Sequence, residues 1–282
     1  MDILYTLTDL RAYVRAHRQA GKTIAFVPTM GALHDGHVTL VREGLKRADI
    51  CIPYIFLNPK QFAPTEDLAS YPKTLDADLD KIRAVRASAV YVPSAANIYP
   101  EGFATSITVS GISEPLEGLC RPHFFQGVAT IVAKMLIQCL PDIALFGEKD
   151  YQQLLVIKKL VADMDLPVTI LGIPTVRDSR GLALSSRNVY LSAPEREIAV
   201  QMNVILKEMM KKSLGSVRIE EAEAWGLDAL TNAGFDRVDY CVVRDAQTLH
   251  PVSPDTQTRR ALAAAWIGTT RLIDNRGEHD VT

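Results

Sequence analysis

Two histidines close the polar stretch at residues 28–37 of this 282-residue chain, and they are its strongest candidates for chemistry. His34 and His37 flank Gly36, between an apolar run at residues 23–27 and a helical pattern. Ligands of open α/β sheets bind at the carboxyl ends of the strands, where this turn would lie. Glycine lets a phosphate approach backbone N–H groups, and imidazoles donate to phosphate oxygens. The stretch predicts stabilisation of charge on a phosphoryl group; the alternative is one capping and one solvated histidine.

A second polar cluster, residues 147–150 followed by Gln153, comes directly after the apolar run at 143–146. Lys149 at the end of a strand is suited to meet a phosphate as a compact point charge. Gln153 would lie one helical turn later, on the same side of the helix start. The alternative is a glycine turn with a solvated charged tip.

A third cluster, residues 177–188, is a polar loop at the expected domain junction. Ser185, Ser186 and Arg187 offer hydroxyl, backbone and guanidinium donors, a set suited to a pyrophosphate leaving group. A loop at a boundary can also close over a bound nucleotide. The alternative is a simple linker.

A fourth cluster, residues 58–62, contains Asn58 and Gln61, uncharged groups that can orient hydroxyls or a carboxylate. Locally it is also compatible with an Asn-Pro turn with polar ends. Together, polar clusters follow four of the five strands predicted for the first part of the chain. This convergence favours an enzyme that uses a nucleotide, although neither a Gly-x-x-x-x-Gly-Lys-Ser nor a Gly-x-Gly-x-x-Gly motif is present.

Predicted strands and helices, which must position these residues, alternate along the chain. Apolar runs and helical periodicity in the first 175 residues predict a Rossmann-like doubly wound parallel sheet, and residues 176–282 predict a smaller α+β domain acting as a lid. The predicted strands are 23–27, 50–56, 89–92, 143–146 and 168–171, then 238–243, 260–267 and 270–273, and the predicted helices are 36–48, 75–87, 127–140, 151–163, 193–212 and 220–232.

Composition narrows the class of protein. The formal net charge of −2 disfavours binding to duplex nucleic acid or to an anionic membrane. Four irregularly spaced cysteines exclude a zinc ribbon and favour a reducing compartment. The acidic N-terminus is unlike a signal peptide, and the longest apolar stretch, residues 128–146, is interrupted by polar residues. These features predict a cytoplasmic protein.

Five segments, read together, carry a family resemblance: residues 28–37, 58–62, 71–72, 147–153 and 184–188. In type, order and separation they resemble the pantoate–β-alanine ligase family, within the nucleotidyltransferase superfamily that shares a His-x-Gly-His motif. The resemblance implies that pantoate and ATP give pantoyl adenylate and pyrophosphate. β-Alanine then displaces AMP to give pantothenate, a step in coenzyme A biosynthesis.

The resemblance also implies roles for single residues. His37 and His34 would be catalytic, with Lys149, Ser185 and Arg187 steadying the phosphates. Gln61 and Gln153 would hold pantoate, with Asn58 beside them. The ATP site would comprise Met30, Gly31, Ala32, Leu33, His34, Asp35, Gly36, His37, Gly147, Glu148, Lys149, Asp150, Val176, Leu184, Ser185, Ser186 and Arg187.

Two further expectations come with the family: Mg²⁺ bridging the ATP phosphates, and a homodimer. Mg²⁺ usually keeps waters and takes few protein ligands. Asp78 is a candidate metal ligand, against the alternative that it is an exposed helix residue.

Three departures bear on the pocket. His123 stands where the family commonly has glycine, Tyr54 where a small residue is usual, and Ser70 where a basic residue commonly precedes Tyr-Pro. Any of them could reshape a wall of the site. Two alternatives stay open: a different nucleotidyltransferase acting on another small acid or phosphate, and a nucleotide-sensing protein that performs no chemistry.

Overall fold

The computed structural model describes residues 1–63 and 66–281. Within them, six parallel strands form one sheet in the order β1-β4-β3-β2-β5-β6. The strands are β1 (Asp2–Leu4), β2 (Ile24–Thr29), β3 (Ile50–Ile55), β4 (Ala89–Tyr91), β5 (Ile143–Gly147) and β6 (Thr169–Ile173).

Helices cover both faces of this sheet, which is why its strands are apolar nearly throughout. One face packs under α1, α6 and α7, and the other packs under α2 and α3. The predicted doubly wound parallel sheet is thereby confirmed. The helices of this part of the chain are α1 (Leu7–Gln19), α2 (Asp35–Arg47), α3 (Leu75–Ala84), α4 (Ala95–Ile98), α5 (Glu117–Cys120), α6 (Phe124–Cys139) and α7 (Tyr151–Asp163).

The strand order reverses between β2 and β5. From β2 the chain steps outward through β3 to β4, then returns through α6 to place β5 on the other side of β2. Loops that leave the carboxyl ends of two such strands diverge and open a crevice. The loop after β2 begins at Met30, so the predicted site lies where the topology favours one.

The chain separates into two compact units. The first contains Met1–Glu148 and Gln153–Pro174, and the second contains Lys149–Gln152 and the chain from Thr175 onward. The assignment of Lys149–Gln152 to the second unit was not predicted. This segment is held within the second unit by a hydrogen bond from Asn275 Nδ2 to Lys149 O at 2.9 Å and by another from the Tyr151 hydroxyl to Ala246 O at 2.8 Å.

The second unit is a three-stranded antiparallel sheet, ordered β7-β8-β9, with two helices packed on it. The Ser192 side chain accepts a hydrogen bond from Glu195 N, completing the capping box that the sequence indicated. The elements are α8 (Ala193–Leu214), α9 (Ile219–Ala233), β7 (Arg237–Asp245), β8 (Arg259–Ile267) and β9 (Thr270–Gly277).

Two N-terminal elements were not predicted. Helix α1 carries a local signal that was overlooked, a capping box between Thr6 and Asp9. Strand β1 has only three residues, and its pairing with β4 defines it as a strand. No helix in the described ranges is long and apolar enough to span a membrane.

Candidate active site

The loop after β2 has an unusual backbone. Gly31 and Ala32 both have positive φ, +83° and +49°, the left-handed region that non-glycine residues rarely adopt. The carboxylate of Asp78, on α3, accepts hydrogen bonds from the backbone N–H of Ala32 at 2.9 Å and of Leu33 at 2.8 Å. The loop is therefore bonded to a helix distant in sequence.

His34 and His37 form a reciprocal cap at the start of α2. His34 Nδ1 accepts from Gly36 N at 3.1 Å, and His37 Nδ1 accepts from His34 N at 3.3 Å. The two rings lie 4.1 Å apart, centre to centre. Because each Nδ1 accepts a hydrogen bond, it must carry a lone pair, and the proton of each neutral ring lies on Nε2.

This arrangement bears on the alternative of one capping and one solvated histidine. The Nδ1 atoms of both rings take part in the cap at the start of α2. The other ring nitrogen of each histidine, Nε2, is not part of this cap. The Gly36 N–H, one of the backbone groups at the helix start, donates to His34 Nδ1.

Gln61 ends the 3-10 turn Pro59–Gln61 after β3, and Asn58 is the N-cap of this turn. Asn58 Nδ2 donates to Gln61 Oε1 at 3.0 Å and to Gly127 O at 3.3 Å. Its Oδ1 accepts from Lys60 N and from the Tyr99 hydroxyl. Asn58 is 1% exposed. Asn58 is therefore a buried residue that holds the Gln61 side chain.

Gln61 and Met30 meet in the first unit. Gln61 Nε2 lies 2.8 Å from Met30 Sδ, which joins the loop after β2 to the turn after β3. The Gln61 carbonyl accepts from Arg121, whose guanidinium also pairs with Glu66 and stacks on Phe124 at 3.7 Å. Arg121 was not predicted as a site residue, although it lies two residues before His123.

The three departures from the family pattern lie in different surroundings. His123 has φ −98°, so nothing in its backbone requires glycine, and its side chain is exposed. Ser70 is exposed as well. Tyr54 is 1% exposed and packs in the core beside Phe26 and Tyr91. Burial raises the pKa of Tyr54 well above its usual value.

Asp78 is not an exposed helix residue, and that alternative is wrong, because the residue is 1% exposed. Both carboxylate oxygens accept backbone hydrogen bonds, and Thr74 Oγ1 donates to Oδ2 at 3.2 Å. Lys81, three residues later on α3, donates to Leu33 O. Both carboxylate oxygens of Asp78 therefore already have hydrogen-bond partners within the protein. Among the described residues no cluster of three or more His, Cys, Asp or Glu side chains could hold a metal ion.

The second unit brings together several residues predicted to hold phosphates. Leu184 N donates to Val176 O at 3.0 Å, and Ser185 Oγ accepts from Arg187 N at 3.2 Å, capping the 3-10 turn Ser186–Tyr190. Lys149 lies in the same unit, with its Nζ 3.8 Å from an Asp150 oxygen.

The other predicted residues of the second cluster lie in the first unit. Gly147 ends β5, Glu148 follows it, and Gln153 is half-buried near the start of α7. Asp35, from the predicted stretch at residues 28–37, is the exposed first residue of α2.

An ion pair that the sequence did not reveal anchors the loop of residues 177–188. The Arg177 guanidinium donates to both oxygens of Asp274, at 2.6 and 2.8 Å, and to Gly181 O at 3.1 Å. The partners are 97 residues apart in sequence. No local pattern could have indicated Asp274.

Comparison with known proteins agrees with this geometry. The family model described as pantoate-beta-alanine ligase matches residues 2–277. A pantothenate synthetase of Caulobacter vibrioides is 49% identical over 276 residues, covering 97% of this chain and 97% of that protein. Another, of a Bradyrhizobium species, is 50% identical over 272 residues, covering 96% of each.

Solved structures give the same result. A pantothenate synthetase of Thermus thermophilus superposes with a TM-score of 0.92 at 39% identity, covering 98% of this chain and 99% of that one. A pantoate-beta-alanine ligase of Francisella tularensis, described as complexed with beta-gamma ATP and beta-alanine, has a TM-score of 0.82 at 32% identity, covering 99% and 98%. This chain therefore belongs to the pantoate–β-alanine ligase family.

Proposed function

We infer that this protein is an ATP-dependent ligase that joins pantoate to β-alanine, releasing AMP and pyrophosphate. The structural observation that carries this inference is the reciprocal histidine cap, which fixes the orientation of both rings at the turn after β2. Family membership over nearly the whole chain supports the same reaction. It also disfavours a nucleotidyltransferase with a different acceptor.

The proposed chemistry has two steps. In the first, a pantoate carboxylate oxygen attacks the α-phosphorus of ATP, and the bond from that phosphorus to the bridging oxygen breaks to release pyrophosphate. In the second, the β-alanine amine attacks the acyl carbon, loses a proton, and AMP leaves with the former carboxylate oxygen. The first step is needed because a free carboxylate is a poor acyl donor.

His34 and His37 contribute to the first step by donating from Nε2 to phosphate oxygens. Because Nδ1 of each ring is held by a backbone N–H, the rings are oriented before substrate arrives. Donors fixed in advance stabilise charge that develops in the transition state without reorganising. We assign both histidines as catalytic residues on this ground.

Gln61 is proposed to bind pantoate, with Gln153 as a second contact from α7. Gln61 is 9% exposed and its carboxamide is oriented by Asn58, so it offers a fixed hydrogen-bonding group beside Met30. Asn58 itself is proposed to position Gln61 and not to touch substrate.

In the second unit, Lys149, Ser185 and Arg187 are proposed to steady the phosphates. The cap that Ser185 forms with Arg187 N fixes the start of the turn that carries Ser186 and Arg187. The backbone hydrogen bond from Leu184 N to Val176 O joins the residues on either side of the turn in the same loop. We propose that residues 176–282 act as the lid of residues 1–175.

ATP is proposed to arrive as its Mg²⁺ complex, with the ion carried by the substrate phosphates and water. The cytoplasm, with ATP and both small acids at hand, is the proposed location, and a homodimer is the proposed assembly.

The test is AMP release from ATP and Mg²⁺ with pantoate, with and without β-alanine, following pantothenate by mass spectrometry. We expect AMP and pantothenate to appear together only when both acids are present. ATP binding without AMP release would contradict the proposal and favour a nucleotide sensor. AMP release with another acid in place of pantoate would point to a different acceptor.

A further inference from the structure

Helix α3 holds three consecutive peptide groups of the loop after β2. Asp78 accepts from the N–H groups of Ala32 and Leu33, which belong to the peptides 31–32 and 32–33. Lys81 donates to the Leu33 carbonyl, which belongs to the peptide 33–34. Asp78 and Lys81 lie three residues apart, on one face of the helix. One side of α3 therefore determines the path of the loop up to His34.

The peptide 33–34 connects this clamp to the histidines. Its carbonyl accepts from Lys81, and its N–H, which is that of His34, donates to His37 Nδ1. A donor on the carbonyl side of an amide polarises the N–H on its other side, so the two hydrogen bonds strengthen each other. The orientation of the His37 ring thus depends on the position of a peptide that α3 fixes.

The clamp also offsets backbone strain. Ala32 has φ +49°, a conformation that a residue with a Cβ adopts only when its surroundings impose it. A Cβ on Gly31 would lie 3.3 Å from Asp78 Oδ2, so the glycine allows the carboxylate its close approach. Asp78 is 1% exposed, and removing its hydrogen-bonding capacity would leave buried N–H groups unsatisfied.

We propose that Asp78, assisted by Lys81, is a positioning residue for the ATP site, acting through the backbone of residues 31–34 on the orientation of His34 and His37. This inference rests on the proposed function, in which that loop binds ATP. It also assigns Asp78 a role other than metal ligation, since both of its oxygens already accept from the loop.

The test compares Asp78→Asn with Asp80→Asn in the full-length protein. Asp80 is exposed on the same helix and pairs with Arg83, so its substitution is the matched control. Asparagine presents an NH₂ group to one of the two loop N–H groups and loses that hydrogen bond. We expect pantoate-dependent exchange of pyrophosphate into ATP to slow about tenfold in Asp78→Asn, with no change in the control.

Two further readouts separate positioning from other roles. The Mg²⁺ concentration for half-maximal rate and the KM for β-alanine should stay within about twofold of wild type, because neither depends on this loop. Hydrogen exchange of residues 31–37, measured without substrates, should accelerate in Asp78→Asn and not in Asp80→Asn. Lys81→Met, which removes only the donor to Leu33 O, should show the same pattern more weakly.

Each contrary result has a distinct meaning. A raised Mg²⁺ requirement in Asp78→Asn would make it a metal ligand and overturn the proposal, as would rates and exchange equal to the control. If Asp78→Asn does not fold, Lys81→Met decides: unchanged pyrophosphate exchange overturns the proposal. If the wild-type protein makes no pantothenate, the proposed function fails, while hydrogen exchange still shows whether Asp78 holds the loop.

Discussion

The two loops that we propose to bind phosphates, residues 30–37 in the first unit and 177–188 in the second, are each anchored by one buried carboxylate. In the first, Asp78 accepts directly from backbone N–H groups. In the second, Asp274 pairs with the Arg177 side chain at the base of the loop. The first carboxylate therefore holds the peptides that lead to His34 and His37, whereas the second holds a side chain at the start of its loop.

The two anchors also differ in electrostatics. Asp78 is satisfied by neutral donors from loop and helix. Asp274 and Arg177 form an ion pair whose side chains are 4% and 12% exposed. Removing one member of a buried ion pair leaves an uncompensated charge, which is strongly destabilising. We therefore expect damage to the first anchor to appear mainly in catalysis and damage to the second mainly in stability.

Of the substitutions considered, His37→Ala should lower the activity most. Loss of one preorganised donor to a developing negative charge typically lowers the rate by about 10² to 10³. Pantoate-dependent exchange of pyrophosphate into ATP should fall by about that factor, while circular dichroism remains that of a folded protein and the free energy of unfolding falls by about 1 kcal/mol, the cost of a lost helix cap. His250→Ala, an exposed histidine of the second unit, is the control. Near-normal exchange in a folded His37→Ala protein would remove this residue from the mechanism.

Asp274→Ala should produce the largest change in stability. It leaves the Arg177 guanidinium buried without its carboxylate, at a cost of about 3 kcal/mol or more in the free energy of unfolding. Urea unfolding measures the loss. The control is Glu197→Ala, which removes the exposed Arg180–Glu197 pair of the same loop and should cost about 0.5 kcal/mol or less. Equal losses of unfolding free energy in the two variants would mean that the buried Arg177–Asp274 pair stabilises the protein no more than the exposed Arg180–Glu197 pair does.

Gly31→Ala and Gly181→Ala compare the loops at residues that both have positive φ, +83° and +95°. Each alanine should cost about 1 kcal/mol of unfolding free energy from backbone strain. Gly31→Ala should in addition slow the exchange of pyrophosphate, because its Cβ would press on Asp78 Oδ2. A Cβ at Gly181 would lie 2.5 Å from Asn203 Nδ2, so the Asn203 side chain must move and Gly181→Ala should cost further unfolding free energy. If both variants reduce activity equally, the two loops do not differ as described.

Thiol labelling reports the opening of each unit, and it is the prediction with the smallest expected effect. Burial raises the pKa of Cys51, in the first unit, and of Cys241, in the second, to about 12. It raises the pKa of Cys139 as well. Below these pKa values the thiols are protonated and unreactive. At pH 8 we expect only the exposed Cys120 to react rapidly with a thiol reagent.

Thiol labelling of a variant also compares the stability of the two units. In Asp274→Ala, Cys241 should become reactive sooner than Cys51, because the lost anchor belongs to the second unit. Mass spectrometry of labelled peptides gives the order. Simultaneous labelling of both cysteines would show that the units open together.

Much of the fold followed from local patterns. Helix α7 begins and ends where the periodicity predicted, and strands β2, β3 and β5 lie within two residues of their predicted bounds. These elements are long and strongly patterned. Strand β1 was missed because three residues carry no periodicity, and pairing with β4 is what makes them a strand. The excursion of Lys149–Gln152 into the second unit was missed for a similar reason, since its partners lie far along the chain.

The sequence by itself determined the family, the enzyme class and the position of the two histidines at a helix start, because those features reside in short contiguous segments. Tertiary structure alone decided what the residues contact. Asp78 is 46 residues from Ala32, Arg177 is 97 from Asp274, and Tyr54 lies in the core. Such contacts depend on which strands and helices pack together. Burial then decides whether a carboxylate faces solvent, a metal or a backbone N–H, because a buried charge is stable only where the fold supplies its partners.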